Sequence, residues 1–323
     1  MDVNNQKQHI LVAGDHQTAW SLCVCLLQAG HRVTLFSSSK TAALNAINQH
    51  IIDFNKIDGK RVAVEDLNVV SMIHNQLIFD LAIAITPENL GIKEALIHEL
   101  ENKLPDNTLI AVNIESFTLS ALQQQTKNPE RLIGANWAEP AHTTYFLEII
   151  TNSLTDMKLV APFCKTAKLF WQKDPYILEK NYGIRSRMLL ALVREAFYLI
   201  DNEYVTVEDI DRACRNDAGY YLPFAGNFRY MDLMGTYMYG IVMQDLNPEL
   251  SKNTNIPQFC QKIINQADKG IKSGKGFYNY TSEEAAEWES TFRKFSYQIK
   301  EIISRYPFNN PSETNPVIPA VLP

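Results

Sequence analysis

Short apolar runs alternate with helix-like patterns along the first half of the chain. Residues 10–13 form an apolar run that ends at Gly14, and residues 18–28 then carry apolar side chains at helical spacing. Gly30 follows as a helix stop, and residues 32–36 form a second apolar run. Strands that alternate with helices predict parallel β-α-β units. We therefore predict an α/β fold, a Rossmann-type doubly wound sheet with helices on both faces.

The alternation continues almost to residue 180, after which only helical patterns remain. Predicted strands follow at 67–70, 79–86, 108–113, 132–137, 145–151 and 176–179, and helices at 90–102, 119–127, 155–172, 184–200, 231–244, 259–272 and 283–304. Another helix opens at Thr206, where Asp209 stands at the third helical position. We predict a Rossmann-type domain at 1–180, an all-α substrate and dimerisation domain at 181–305 and a proline-rich tail at 306–323.

Composition narrows the class of protein. The chain has 323 residues, of which 46% are hydrophobic and 20% charged, as in ordinary globular proteins. A net charge of −6 argues against nucleic-acid and anionic-membrane partners, and no apolar run is long enough to span a bilayer. The N-terminus lacks a signal-peptide pattern, and five cysteines without C-x-x-C spacing suit a reducing compartment. We expect a cytoplasmic protein that binds no metal, nucleic acid or membrane.

The turn after the first apolar run stands where dinucleotide-binding proteins carry G-x-G-x-x-G. The second glycine of that loop lets the pyrophosphate approach the backbone at the helix start. Gly14 keeps the first glycine, and Ala19 is an accepted replacement for the third. His16 stands at the second, where its side chain would occupy space that the pyrophosphate needs, and Asp15 adds negative charge. The loop therefore predicts weak dinucleotide binding.

The second strand ends without the acid that usually binds the ribose 2′-hydroxyl. Ser37, Ser38, Ser39 and Lys40 follow it instead. Hydroxyls and an ammonium suit a 2′-phosphate, so this run favours NADP over NAD. The alternative is that Gly14 merely makes a turn and the serines are solvated, and the sequence leaves both interpretations open.

Five further segments occur in one order along the chain: T-P-E-N-L at 86–90, P-E-R-L-I-G at 129–134, F-L-E-I at 146–149, F-R-Y-M-D-L-M-G at 228–235 and G-I-K-S-G-K-G-F-Y at 270–278. With them the chain resembles the 3-hydroxyacyl-CoA dehydrogenase family of fatty acid metabolism, 3-hydroxybutyryl-CoA dehydrogenases included. The resemblance extends from about residue 9 to about residue 280.

The resemblance implies an oxidoreductase that converts an L-3-hydroxyacyl-CoA to the 3-ketoacyl-CoA with NAD. It implies that the nicotinamide and the acyl-CoA meet between a Rossmann-type domain and a helical domain, and that the helical domain forms a homodimer. An aromatic cluster in that domain fits a subunit interface or the core of the domain. Its members are Tyr220, Tyr221, Phe224, Phe228, Tyr230, Tyr237 and Tyr239.

Three of the four catalytic positions implied by the resemblance carry a different residue here. The family's serine falls on Glu115, its histidine base on Asn136 and its substrate-binding asparagine on Ser186, whereas the orienting glutamate is kept as Glu148. An asparagine has no titratable proton near neutrality and cannot serve as the general base. We therefore expect low or altered activity.

Other positions match family residues that approach the cofactor or the acyl-CoA. Glu88, Lys93 and Lys272 match cofactor-binding residues, beside Gly14, His16, Ala19 and Ser37 of the nucleotide site. Lys56, Lys60 and Arg61 lie where the family has an acyl-CoA hairpin, here shortened. They either meet a CoA phosphate or form a solvated basic loop.

Three functions remain open from the sequence. The chain is an oxidoreductase with altered chemistry, a non-catalytic relative that serves as a ligand-binding or assembly scaffold, or an enzyme of another class. The last would use Glu115 and Glu148 as a carboxylate pair, in which one pKa is raised. Glu115 could instead pair with Lys93 or Arg185. His142 could supply a displaced imidazole, but we predict it as a surface-loop histidine.

Overall fold

The protein is described here from a computed structural model. The structure describes residues 7–59, 61–74, 78–266 and 268–306. Lys60 and the predicted proline-rich tail beyond Tyr306 therefore lie outside the described residues. The chain divides into two compact units, Met1–Leu189 and Leu190–Pro323.

The first unit contains one sheet of eight strands. They are β1 (His9–Ala13), β2 (Arg32–Phe36), β3 (Leu67–Val70), β4 (Leu81–Ala84), β5 (Leu109–Val112), β6 (Leu132–Trp137), β7 (Phe146–Ile150) and β8 (Asp174–Leu178). The strand order is β3-β2-β1-β4-β5-β6-β7-β8. The first six strands run parallel, which confirms the predicted doubly wound sheet with its reversal of strand order beside β1.

The last two strands depart from the predicted parallel pattern. β7 pairs with β6 in antiparallel register, so that Asn136 lies opposite Glu148, and β8 runs parallel to β7. The connection from Trp137 to Phe146 is too short for the helical crossover that a parallel neighbour needs. A short connection therefore turns the chain back, and this places two residues of the predicted site in one register.

Five helices flank the sheet of the first unit: α1 (Gln17–Gln28), α2 (Lys40–Asp58), α3 (Leu90–Lys103), α4 (Leu119–Gln123) and α5 (Met157–Phe170). Six more follow: α6 (Arg185–Asp201), α7 (Val207–Ala213), α8 (Gly219–Met234), α9 (Thr236–Leu246), α10 (Gln258–Asn265) and α11 (Ser282–Arg305). Among the described residues, none of these helices is long and apolar enough to cross a membrane.

The core of the first unit lies on both faces of its sheet. Every residue of β4 and β5 is buried, as expected for parallel strands covered by helices on each side. α1 covers one face with eight buried residues, since its apolar side chains recur at helical spacing. Residues of α3 and α4, such as Ile97 and Leu122, complete a cluster on strands β4 and β5. This packing fixes the strand ends that carry the predicted site.

Three helix predictions were incomplete. The sequence analysis assigned no helix to residues 40–58, where the structure has α2. The helix predicted at 231–244 is two helices, because Gly235 adopts φ +107 between α8 and α9. The helix predicted at 259–272 ends at Asn265. By contrast, the helix start at Thr206 is confirmed by a capping box in which Thr206 and Asp209 exchange hydrogen bonds.

Candidate functional site

The strand ends of the first unit surround a cleft of about 330 Å³, here called the site cleft. Its lining comes from the residues that follow β1, β4, β5 and β6 and from the start of α6. They are His16, Thr18, Ile85, Thr86, Pro87, Glu88, Asn113, Glu115, Trp137, Glu139 and Arg185. Carboxyl ends of parallel strands beside a reversal of strand order are where open α/β sheets bind ligands.

The glycine of the loop is required by a close approach of two backbones. Gly14 has φ +146, and a Cβ there would lie 2.0 Å from the carbonyl oxygen of Ile85. Its N–H donates to the carbonyl oxygen of Phe36 over 3.0 Å, which joins the turn to the end of β2. Any side chain at position 14 would push β1 away from the residue after β4.

His16 caps α1 at the place where the second glycine would stand. Its Nδ1 accepts a hydrogen bond from the N–H of Thr18 over 3.2 Å and lies 3.0 Å from the Thr18 hydroxyl oxygen. A side chain that occupies a helix N-terminus competes with an anion for the same N–H groups. This placement supports the prediction that His16 stands in the pyrophosphate position.

The serines after β2 donate hydrogen bonds to Asp15 in the turn after β1, so their donors are not available to a phosphate. Asp15 accepts hydrogen bonds from the Ser37 hydroxyl, from the Ser38 hydroxyl over 2.6 Å and from the Ser38 and Ser39 N–H groups over 3.3 Å each. Burial alone would raise the pKa of Asp15, but these hydrogen bonds outweigh it and hold the pKa below its usual range. The predicted availability of these hydroxyl donors to a 2′-phosphate was wrong.

Asn136, at the position of the family's histidine, is a buried structural side chain. Its Oδ1 accepts from the N–H of Ile114 over 2.8 Å, and its Nδ2 donates to the carbonyl oxygen of Ile114 over 2.7 Å. The same Nδ2 donates to Glu148 Oε2 over 2.8 Å. The amide thus joins β6 to the residue after β5 and is 1% exposed.

Glu148 connects this amide to the start of α6. Its Oε1 accepts from the Tyr176 hydroxyl over 3.0 Å and from the N–H groups of Ile184 and Arg185 over 2.8 and 3.2 Å. The carboxylate is fully buried, and a Cβ on Gly183 would lie 2.0 Å from its Oε2. These three bonds and the one from Asn136 fix the position of the carboxyl group at the N-terminus of α6. Of the predicted carboxylate pair, only Glu115 lines the site cleft.

Glu115 and Ser186, two positions that differ from the family, contact each other. Glu115 accepts from the Ser186 hydroxyl and forms an ion pair with Arg185 at 2.9 Å, as one of the sequence alternatives predicted. Burial raises the pKa of Glu115, and the Arg185 guanidinium opposes that shift. The carboxylates of Glu88 and Glu148 add to the upward shift of the Glu115 pKa.

Glu88 and Lys93 hold the loop after β5. Lys93 is fully buried, and its Nζ lies 3.0 Å from Glu88 Oε2 and 2.6 Å from the Asn113 carbonyl oxygen. Glu88 Oε1 accepts from the N–H groups of Glu115 and Ser116 over 3.1 and 2.7 Å. Burial favours a higher pKa for Glu88, but these hydrogen bonds and Lys93 lower it. The pair therefore fixes the loop that carries Glu115.

The remaining predicted residues lie in different places. Ala19 is fully buried in α1, and Lys272 lies in the second unit, in the turn Ile271–Ser273. Lys56 is in the last turn of α2 rather than in a loop. The prediction of a surface-loop histidine was wrong, since His142 is 3% exposed and contacts the ring of His50 edge-on at 4.8 Å.

The residues at the end of the sheet fit the adenosine half of a dinucleotide. The turn at Gly14 and the carboxylate of Asp15, two residues after β1 and in contact with Ser38 after β2, stand where such a ligand needs them, whereas His16 occupies the N-terminus of α1. The contact between Asp15 and the serines after β2 was missed from the sequence, although the place of Asp15 next to Gly14 was a signal. Among the described residues, no group of three or more His, Cys, Asp or Glu side chains could hold a metal ion.

Fold and cleft together define a Rossmann-type dinucleotide-binding protein with an added helical unit. The chain belongs to the 3-hydroxyacyl-CoA dehydrogenase family. The family's NAD-binding domain matches residues 11–181, and its C-terminal domain matches residues 184–280. The predicted family is thereby confirmed, and so is the NAD-binding character of the first domain.

Relatives with different substrates resemble this chain. It is 28% identical over 207 residues to 5-formyl-3-hydroxy-2-methylpyridine 4-carboxylate 5-dehydrogenase of Mesorhizobium japonicum, a match that covers 64% of this chain and 67% of that protein. It is 27% identical over 290 residues to 3-hydroxyadipyl-CoA dehydrogenase of Escherichia coli, covering 86% of this chain and 60% of that one. The chain thus spans less than two thirds of the second relative.

Solved structures share the fold. The crystal structure of the NAD⁺-dependent 5-formyl-3-hydroxy-2-methylpyridine 4-carboxylic acid 5-dehydrogenase has a TM-score of 0.84 at 22% identity and covers 93% of this chain and 99% of its own. Escherichia coli 3-hydroxybutyryl-CoA dehydrogenase has a TM-score of 0.62 at 25% identity, covering 85% of this chain and 60% of its own.

Proposed function

We propose that this protein binds NAD in its first unit and oxidises L-3-hydroxyacyl-CoA thioesters far more slowly than its family does. One observation carries the proposal: the amide of Asn136 stands where the family has its base, is buried and has its hydrogen bonds taken up by Ile114 and Glu148. An amide accepts no proton near neutrality, so Asn136 cannot act as the general base that the family's histidine provides.

The residues of this chain would divide the work as follows. Gly14 and Asp15 would hold the adenosine half of the dinucleotide, whereas His16 would compete with the pyrophosphate for the N–H groups of the first turn of α1. NAD, when bound, supplies the acceptor for a hydride. Glu115 and Arg185 would face the substrate from the site cleft, where Arg185 could attract an anionic group and Glu115, which accepts from Ser186, could accept a proton.

The direct test is the rate of NAD reduction by the native full-length protein with L-3-hydroxybutyryl-CoA, with NAD and NADP supplied separately. Loss of a positioned general base costs roughly a hundred- to ten-thousand-fold in rate. We expect turnover below about 0.01 per second, which is about a hundredfold under the lower end of the ordinary enzymatic range of about 1–1,000 per second. Turnover within that range would refute the proposal.

A second candidate is a reaction that uses Glu115 itself as the base. Its raised pKa favours this, because a desolvated glutamate is a stronger base than a solvated one. Arg185 and Ser186 work against it, since each stabilises the ionised carboxylate. Glu115→Gln keeps the shape and removes the base. Loss of a measurable native activity in this variant would favour the carboxylate, whereas unchanged activity would exclude it.

We also propose that the chain is a homodimer joined through its helical unit. In the part of that unit that the structure describes, the buried residues are Ala225, Ser251 and Ser296, so its helices leave their apolar sides exposed in the single chain. Surfaces of this kind mark subunit interfaces. A scaffold without catalysis, the remaining alternative, would keep this dimer and bind acyl-CoA or NAD without turnover.

A further inference from the structure

The acidic residue beside the end of β2 is Asp15, which belongs to the loop after β1 and not to the loop after β2. In parallel register Ala13 pairs with Phe36, so the residues after β1 and β2 leave the sheet side by side. The position after Phe36, where a dinucleotide site usually has its acid, is Ser37. Asp15 is two residues after β1, and its carboxylate contacts Ser37 and Ser38.

The hydrogen bonds to Asp15 determine which way the serine protons point. A hydroxyl has one proton and two lone pairs. Because Asp15 is held ionised by its donors, the Ser37 and Ser38 protons are directed to its oxygens. Ser37 Oγ also accepts from the N–H of Ser39 over 3.1 Å. The outward side of Ser38, which is exposed, therefore presents lone pairs and no proton.

Such a surface distinguishes two adenosine riboses by their hydrogen-bonding capacity. A ribose 2′-hydroxyl can donate to Ser38 Oγ or to Asp15, and both can accept. A 2′-phosphate has acceptor oxygens and negative charge at neutral pH, so it would face lone pairs and a carboxylate. Lys40 follows the three serines and is exposed at the start of α2. Its positive charge favours binding of the 2′-phosphate.

We infer that Asp15 is the specificity-determining residue of the nucleotide site, and that its carboxylate, acting directly and through Ser38, selects NAD(H) against NADP(H). The inference rests on the proposed binding of a dinucleotide to the first unit. It assigns the discrimination to a residue of the glycine loop, whereas the position after β2 holds only the serine that this residue orients.

The test compares the binding of NADH and NADPH to the full-length protein, followed by tryptophan fluorescence. Trp20 lies in α1 beside the loop and Trp137 lines the site cleft, so both report on ligand in this region. We expect native protein to bind NADH at least about tenfold more tightly than NADPH, the effect of one charged contact. Asp15→Asn should shift this ratio at least about tenfold toward NADPH.

Two further variants keep the test decisive. Asp53→Asn removes an equal charge from a half-buried position of α2, where Asp53 accepts from Gln49, and should leave the ratio unchanged. Ser38→Ala retains the Asp15 carboxylate and should weaken the binding of NADH about two- to fivefold, as expected for the loss of one neutral hydrogen bond. Thermal melting checks that each variant is folded, and if Asp15→Asn does not fold, the native ratio and Ser38→Ala decide.

Equal binding of the two dinucleotides, tighter NADPH binding or an unchanged ratio in folded Asp15→Asn would overturn the inference. An Asp53→Asn shift as large as that of Asp15→Asn would also overturn it, because net charge alone would then explain the preference. Binding of neither dinucleotide would instead refute the proposed function on which the inference rests. The two failures are therefore distinguishable.

Discussion

The two compact units bury their apolar side chains to very different extents. In the first, strands β4 and β5 are buried at every position, and helices cover both faces of the sheet. In the second, Tyr220 and Tyr237 are 80% exposed and Phe228 is 78% exposed, so the helices lack an apolar covering within the single chain. In the single chain the first unit covers both faces of its sheet, whereas the second leaves large apolar side chains exposed, which is what the proposed homodimer predicts.

The largest expected effect is on dimerisation, and it is tested by substituting arginine for one exposed apolar residue in each unit. Phe228 and Ile78 are similarly exposed, at 78% and 75%, in the second and first unit respectively. Phe228→Arg should weaken the homodimer by about a hundredfold or more, as expected for an aromatic at the centre of an interface. Ile78→Arg should leave the assembly unchanged. Light scattering over a dilution series measures both.

The comparison would fail in either of two ways. A native chain that is monomeric at every accessible concentration would leave the exposed helices of the second unit unexplained by self-association. Equal dissociation by Phe228→Arg and Ile78→Arg would place the interface elsewhere. A monomeric Phe228→Arg variant with a native melting temperature would show that the second unit is stable without a partner.

A smaller effect is expected within the first unit, at its buried carboxylate. Glu148→Ala leaves the Tyr176 hydroxyl and the N–H groups of Ile184 and Arg185 without their acceptor. We expect the free energy of unfolding to fall by about 2 kcal/mol. The exposed Glu65→Ala is the control and should change it by less than about 0.5 kcal/mol. Urea unfolding measures both, and equal losses would contradict the assigned role of Glu148.

The smallest effect concerns the pH dependence of the first unit. Burial lowers the pKa of His31 to about 4, although Asp80 opposes the shift, and the Trp171 indole N–H donates to its Nε2 over 2.8 Å. The unfolded chain binds this proton near pH 6.5, so stability is full above that pH and falls as the pH decreases toward 4.

We expect this contribution to be about 1 to 2 kcal/mol. His31→Gln should therefore flatten the stability curve between pH 6.5 and 4, measured by urea unfolding at fixed ionic strength. The exposed His98→Gln on α3 is the matched control. An unchanged slope in His31→Gln would show that His31 does not titrate differently in the folded protein.

The pattern of the sequence predicted the sheet better than the helices. Predicted strands at 32–36, 67–70 and 132–137 coincide with β2, β3 and β6, because buried strands form short apolar runs with clear ends. α2 was missed because residues 40–58 contain many polar side chains and give a weak helical pattern. The division at Gly235 was missed because the apolar pattern of a helix does not predict whether a glycine within it adopts a positive φ.

The site was predictable as a set of positions but not as a set of contacts. The structure brings the four motif positions together in pairs, Asn136 with Glu148 and Ser186 with Glu115. The hydrogen bond from Ser186 to Glu115 and the bonds from the serines to Asp15 join residues far apart in the chain. Such contacts depend on which loops lie side by side, and periodicity carries no information about that.

At the position of the family's catalytic base, Asn136 presents a neutral amide whose oxygen and nitrogen are both hydrogen-bonded. Asn136→His restores the base, and the paired change Glu115→Ser with Asn136→His also removes the carboxylate from the neighbouring loop. The two ring nitrogens of a histidine point in diverging directions and cannot pair with the N–H and carbonyl oxygen of Ile114 as the Asn136 amide does, so each variant is first checked by thermal melting.

The most direct measurement is the initial rate of NAD reduction with L-3-hydroxybutyryl-CoA by the native protein and by both variants. We expect a native rate at or near background. The double variant should be at least about tenfold faster than the native protein, because it regains a general base. A native rate in the ordinary enzymatic range that is abolished by Glu115→Gln would contradict the account. So would a folded, NADH-binding double variant with no gain in rate.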